Sequence, residues 1–330
     1  MYNDLSKKNT ANNGLLIAIK DIWSNKWLYL FVLPGLIWFL VFCYYPMYGV
    51  LVAFKTYDPL KGILGSSWAP MGGFKYFIDF FQDINFKNIM INTVGISLVK
   101  MVVCFPAPII FALLLNEIRA NSFKRLVQSI SYLPYFISWV VVFGIFFDFF
   151  SVDNGIINNF LIWTGLIKEP VFWLGDPKYF WGISTFVEAW KNIGFNSVIY
   201  LAAIASINIE LFDSAIVDGA SRFRQVWHII LPSIKPTILM LLILSMGTIL
   251  NGGGGGGITL GTGFEQIYIF SNPVNSSAST VIDTYVMNQG IFRSQYALST
   301  AVGLFKSAIG LIMLLITNYT IKALSDESLV

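Results

Sequence analysis

Few residues in this chain are equipped for chemistry, and most of those that are lie inside apolar sequence. Glu188 and Lys191 stand three apart, which on a helix puts carboxylate and ammonium on one face, within reach of an ion pair. Lys100 and Lys306 are also embedded among apolar residues. Charge is costly in hydrocarbon, so each of these four must face protein or water. Two readings of Glu188 and Lys191 stay open: a buried structural pair, or hydrogen-bonding groups beside a route for a polar solute. Tyr132, Tyr135, Phe136, Trp139 and Phe143 follow one another closely. Such rings stack on pyranose faces, and they also pack against lipid and neighbouring helices. Tyr135, Trp139 and Asn196 are the residues such a pathway would use. No nucleophile stands with a base and an orienting group, so no catalytic residue is assigned. One His and two Cys leave almost no material for a metal site, and none is assigned. Cys43 and Cys104 read as small packed hydrophobes rather than a disulfide framework.

The elements that position these residues follow from hydropathy. Of 330 residues, 56% are hydrophobic and 12% charged, against roughly a quarter charged in soluble domains. Lipid is therefore the main solvent. With no dense basic stripe and a net charge of only +3, nucleic acid is not a partner. Crossing the hydrocarbon takes about 20 apolar residues in a helix. Spans are predicted at Trp27–Phe54, Ile89–Leu115, Val127–Phe150, Tyr179–Ile207, Ser233–Leu250 and Ala297–Leu324, with Pro34 and Pro46 kinking the first. The expected fold class is all-α, a polytopic membrane protein of about six transmembrane helices. A cytoplasmic segment 1–26 precedes the membrane domain 27–324, and a cytoplasmic tail 325–330 follows it. Placing the amino terminus inside puts 11 Lys and Arg on the inner side and seven on the outer, so both termini are predicted cytoplasmic. The glycine run Gly252–Gly257 has almost no helix propensity and reads as a flexible loop or a broken helix end. It lacks the Gly-Lys-Ser/Thr of a phosphate-binding loop, since Ile258, Thr259 and Leu260 follow it.

The polar stretch Ile209–Pro236 is the most informative. Apolar residues recur at helical spacing on either side of Gly219: Leu211, Phe212, Ala215 and Ile216 before it, Phe223, Val226, Trp227 and Ile230 after it. This predicts two short amphipathic helices joined at Asp218-Gly219, the second ended by Pro232 and Pro236. Period alone is equally compatible with a hairpin lying on the membrane surface. The order Asp213-Ser214-Ala215, Asp218-Gly219-Ala220, Ile230-Leu231-Pro232 resembles the coupling loop of ABC importer permeases, with Asp213 and Ser214 departing from that family's Glu-Ala-Ala opening. The outer stretches Asp153–Asn158 and Trp173–Pro177, with Phe264-Glu265-Gln266-Ile267-Tyr268, are similar to those of carbohydrate permeases related to the maltose transporter and of LplB-like polysaccharide permeases. In that pattern the Phe-Glu-Gln stretch lies closer to the asparagine that is Asn251 here, so the insertion up to Gly263 departs from it.

The resemblance implies a type I ABC importer permease fold and a multi-pass subunit of the cytoplasmic membrane that is not itself an enzyme. It implies that the 209–236 loop docks on an ATPase. Gly219 would make the tight turn and Phe223 and Trp227 would be anchors. Arg222 or Arg224 would be a rim contact, or else a solvated charge. Asp213, Ala215, Asp218, Ala220 and Pro232 complete the coupling set, and Asn251 joins the pathway set. The implied partners are a second, similar permease in a heterodimer, two ATP-binding subunits that bind the ATP and Mg, an extracytoplasmic solute-binding protein and an oligosaccharide. This chain would bind no cofactor. The competing reading is a self-sufficient ion-coupled secondary transporter with Glu188 as its proton site.

Overall fold

The computed structural model describes residues 23–250 and 263–324. Segment 1–22, the glycine run and the tail 325–330 lie outside the described residues. The described chain is helical: α1 (Lys26–Phe54), α2 (Lys75–Phe81), α3 (Phe86–Glu117), α4 (Asn121–Tyr132), α5 (Trp139–Phe150), α6 (Ile156–Trp163), α7 (Pro177–Ala205), α8 (Ile209–Val217), α9 (Arg222–Gly247), α10 (Phe264–Phe270), α11 (Ile282–Met287) and α12 (Tyr296–Leu324). Among them α1, α3, α9 and α12 are each long and apolar enough to cross a membrane alone.

Helices α3 and α7 form the centre. Three apolar clusters hang on them: Ile96, Val142, Phe146, Val187 and Ile267 join them to α5 and α10, Ile109, Tyr200, Ile204 and Ile234 join them to α9, and Ile89, Phe80, Tyr285 and Val302 bring in α2, α11 and α12. In contrast, Lys26–Phe39 of α1 has no buried residue. Its 3₁₀ end, Tyr48–Phe54, packs on the body, chiefly against α12.

Two expectations change. Val127–Phe150 is not one straight span. It breaks between the 3₁₀ turn Leu133–Phe136 and Trp139, and the two halves meet at 104°. Pro134 at the start of that turn withholds a backbone donor, and the Ser138 side chain caps α5 by accepting from the Val141 N–H. The 12 residues of α5 rise only about 18 Å, too short to cross alone. The second change concerns Pro232 and Pro236, which do not end a short helix. The segment from Arg222 runs unbroken through both prolines to Gly247, so the fifth span begins well before Ser233. A π-helical turn, Val226–Ile230, precedes Leu231. There the Leu231 N–H reaches the Val226 carbonyl, a wider turn that accommodates the bonds proline cannot make. Ser233 Oγ adds a bond to the Ile229 carbonyl at 2.6 Å.

Close approach of α7 to α4 depends on Gly194, where an added Cβ would lie 2.1 Å from the Ser131 carbonyl oxygen. Gly194→Ala is therefore expected to push the helices apart at a cost of about 2 kcal/mol. Thermal unfolding in detergent reads this out, and an unchanged midpoint would show that the two helices slide apart freely.

Candidate functional site

The motifs Asp153–Asn158 and Trp173–Pro177 are structural corners. Asn158, fully buried, donates to the carbonyls of Ser151 (2.9 Å) and Val171 (3.0 Å) and accepts from the Val171 N–H and from Trp173 Nε1. That uses all of its amide capacity. A Cβ on Gly155 would lie 2.2 Å from the Ser151 carbonyl oxygen, which explains glycine there. Asp176 caps α7 by accepting from the Lys178 N–H, and Pro177 opens the helix.

Sequence reasoning paired Glu188 with Lys191, and the structure separates them. Glu188 turns to Lys100 on α3, with Oε2 3.4 Å from the ammonium and side-chain exposures of 11% and 1%. Its other oxygen accepts from Asn192 Nδ2 at 2.5 Å. Lys100 also donates to Gln266 Oε1 at 2.6 Å, and Gln266 Nε2 donates to the Ser184 carbonyl at 2.7 Å. Three elements, α3, α7 and α10, are thereby tied together near the middle of the two central helices. Gly263 seals the cluster from one side: a Cβ there would be 3.0 Å from Lys100 Nζ, and its φ of +68° suits glycine.

Lys191 caps the broken span instead. Its ammonium donates to the carbonyls of Pro134 (3.1 Å), Tyr135 (2.7 Å) and Ile137 (2.8 Å), and it lies 5.5 and 5.3 Å from the ring centroids of Tyr135 and Trp139. Carbonyls at a helix end have no intrahelical donors and carry the negative end of the dipole, so a cation suits them. The break, which hydropathy does not reveal, is what draws Lys191 away from Glu188. Tyr135 stacks on Phe195 with ring centroids 3.8 Å apart, so one of its faces is already covered. Asn196 lines a small crevice with Glu188, Asn192, Cys104 and Pro108. The proposed pathway set thus divides in two, Glu188 with Asn196 and Lys191 with Tyr135 and Trp139, while Asn251 lies outside the described residues. Lys306 pairs with Asp283 of α11. Gln266, Asn192 and Asp283 are partners that sequence spacing does not reveal, although Gln266 lies within the Phe264–Tyr268 motif.

The stretch 209–236 gives the clearest surface feature. Asn208 caps α8, which leaves the line of α7 at 71°. At its end the Gly219 N–H reaches the Ile216 carbonyl and the Ala220 N–H reaches that of Ala215, at 3.0 and 2.8 Å, with Gly219 at φ +72°. This is a Schellman motif, and its left-handed residue favours glycine. Asp218 is the C-cap, and Ser221 immediately caps α9, its side chain accepting from the Arg224 N–H. Phe212 and Val226 turn inward onto the Tyr200 cluster. Asp213, Asp218, Gly219 and Pro232 are exposed, Ala215 and Ala220 half-buried. Phe223 and Trp227 are 73% and 55% exposed with rings 6.0 Å apart, two aromatic knobs one helical turn apart. Arg222 is engaged within the chain, with Nη1 2.9 Å from Glu117 Oε2 at the end of α3.

Comparison with known proteins accords with this geometry. Residues 105–326 match the model of the binding-protein-dependent transport system inner membrane component family. Protein LplB of Bacillus subtilis (strain 168) is 42% identical over 322 residues, covering 97% of this chain and 96% of the relative. The polygalacturonan/rhamnogalacturonan transport system permease protein YteP of the same organism is 40% identical, covering 93% and 91%. A chain of a bacterial ABC transporter involved in import of the acidic polysaccharide alginate superposes with a TM-score of 0.82 at 37% identity, covering 93% of this chain and 99% of that one. The alginate transporter has also been solved with an alginate pentasaccharide-bound periplasmic protein.

Proposed function

This chain belongs to the family of binding-protein-dependent transport system inner membrane components, and from that membership we propose that it is a permease subunit of an ATP-driven importer for an oligosaccharide. It would share the translocation path with a second, similar permease, receive cargo from an extracytoplasmic binding protein, and take its energy from two ATPase subunits that bind ATP and Mg. The proteins of 37% identity or more whose names give a saccharide name polygalacturonan, rhamnogalacturonan and alginate, which favours a uronate-containing cargo, whereas relatives of 24–28% identity name lactose, arabinooligosaccharides and diacetylchitobiose.

The observation that carries the ATPase assignment is the α8–α9 turn. It is a short helix, a rigid Schellman turn and two exposed aromatic knobs, set at the end of the central helices where a groove on another protein can take it. Aromatic side chains of this kind are common anchors at interfaces. The turn and both termini would then face the cytoplasm. The ion-coupled alternative is weakened by Glu188, because its carboxylate is already held between Lys100 and Asn192.

The test is to purify the tagged protein from its native operon in mild detergent and identify stoichiometric partners by mass spectrometry, beside Gly219→Pro. Proline cannot adopt φ +72° and lacks the N–H given to Ile216. The wild-type protein is expected to bring down an ATPase and a second permease, and Gly219→Pro is expected to lose the ATPase. A wild-type chain that purifies alone and still transports would overturn the proposal.

A further inference from the structure

Arg222 and Glu117 join the first residue of α9 to the last residue of α3 across 105 positions of sequence. Neither charge suits its own helix. Glu117 stands at a C-terminus and Arg222 at an N-terminus, where the helix dipole opposes each of them. Local helix stability therefore does not account for the pair, and the attraction between elements does. Just inside the pair the two helices separate around an apolar groove of about 580 Å³ lined by Ile110, Leu113, Leu114, Phe223 and Trp227. The groove floor, Ile109, Leu113 and Val226, belongs with Ile230 to the apolar cluster around Tyr200. At the outer rim of the turn, the ion pair is the polar link to α3. Its side chains are 57% and 34% exposed, so it adds little to fold stability, and altering it is expected to leave the bundle intact.

We propose that Glu117 and Arg222 are positioning residues that make the α8–α9 turn and the end of α3 move together. This rests on the reading of the turn as the ATPase dock. Displacement of the turn by the ATPase is passed along α3, whose middle carries Lys100 and its bonds to α7 and α10. Arg222 then acts through Glu117, not as a contact to the ATPase.

The experiment uses the assembled transporter in detergent with spin labels at Leu114 and Val198, exposed sites on α3 and α7, and reads the label-to-label distance with and without Mg-ATP. The same samples are assayed for bound ATPase. The expected result is an ATP-dependent shift in the otherwise unaltered protein. Glu117→Arg and Arg222→Glu should each retain the ATPase but lose the shift, the ATP-bound arrangement being disfavoured about tenfold. The exchanged pair, Glu117→Arg with Arg222→Glu, should restore the shift. Single variants that shift normally overturn the inference. So does an exchanged pair no better than the single variants, since Arg222 would then act on the ATPase directly. An unaltered complex that binds the ATPase but shows no shift also overturns it, whereas absence of the ATPase from that complex overturns the functional proposal instead.

Discussion

Replacing Lys100 with methionine is expected to cost about 3–5 kcal/mol of stability, because it removes one partner of a buried ion pair and strands the other. Glu188 would keep only Asn192 as a donor, and Gln266 Oε1 would lose its 2.6 Å bond to the ammonium. The loss falls on three elements at once, since α10 is held to the centre by Gln266 alone among these polar contacts. The check is the thermal unfolding midpoint of the purified protein in detergent, followed by tryptophan fluorescence. Adding Glu188→Met should recover most of the loss, because a buried pair exchanged for packed apolar groups is often close to neutral. A single variant as stable as the wild type would mean that water reaches Glu188, and the crevice beside Asn192 and Asn196 would then be an open part of the pathway.

The sequence disclosed the membrane class, most of the span positions and the turn at Gly219 because each depends on local information. Long apolar runs, helical spacing and a glycine at a helix end are all visible without knowing what packs on what. Polar partnership is not local. Lys191 and Glu188 are neighbours on α7, and only the third dimension shows that the carbonyls of Tyr135 and Ile137 claim one while Lys100 claims the other. Glu117 gave no signal, being a charge at a span end like many others, until α9 placed Arg222 beside it. The prolines misled for a related reason. Proline at 232 and 236 reads as a stop, but a π-helical turn just before Leu231 lets one helix run from beside the Gly219 turn through both prolines to Gly247. That continuity has a consequence for mechanism: the knobs Phe223 and Trp227 stand on the same rod as the fifth span, so force on them needs no flexible joint to reach it.

The bend in the third span sets the last expectation. Lys191→Met keeps an unbranched side chain of similar length and removes three donors. Pro134 O retains the Ile137 N–H at 3.2 Å, whereas the Tyr135 and Ile137 carbonyls lose the lysine bonds of 2.7 and 2.8 Å. Tyr135 and Ile137 are half-buried, so the acceptors left without donors cost less than the roughly 1–3 kcal/mol of a fully buried one, and the rings of Tyr135 and Trp139 lose their cation as well. The 104° angle between α4 and α5 is therefore expected to loosen. Spin labels at Ile130 and Phe147, exposed on the two halves, should give a broader distance distribution in Lys191→Met than in the wild type. Lys191→Arg should not restore the narrow one, since a planar guanidinium fork does not converge three donors on one point as an ammonium does. Equal widths in all three proteins would show that Pro134 and the Ser138 cap hold the bend without Lys191. A restored width in the arginine variant alone would show that positive charge, not the convergence of three bonds, is what the bend requires.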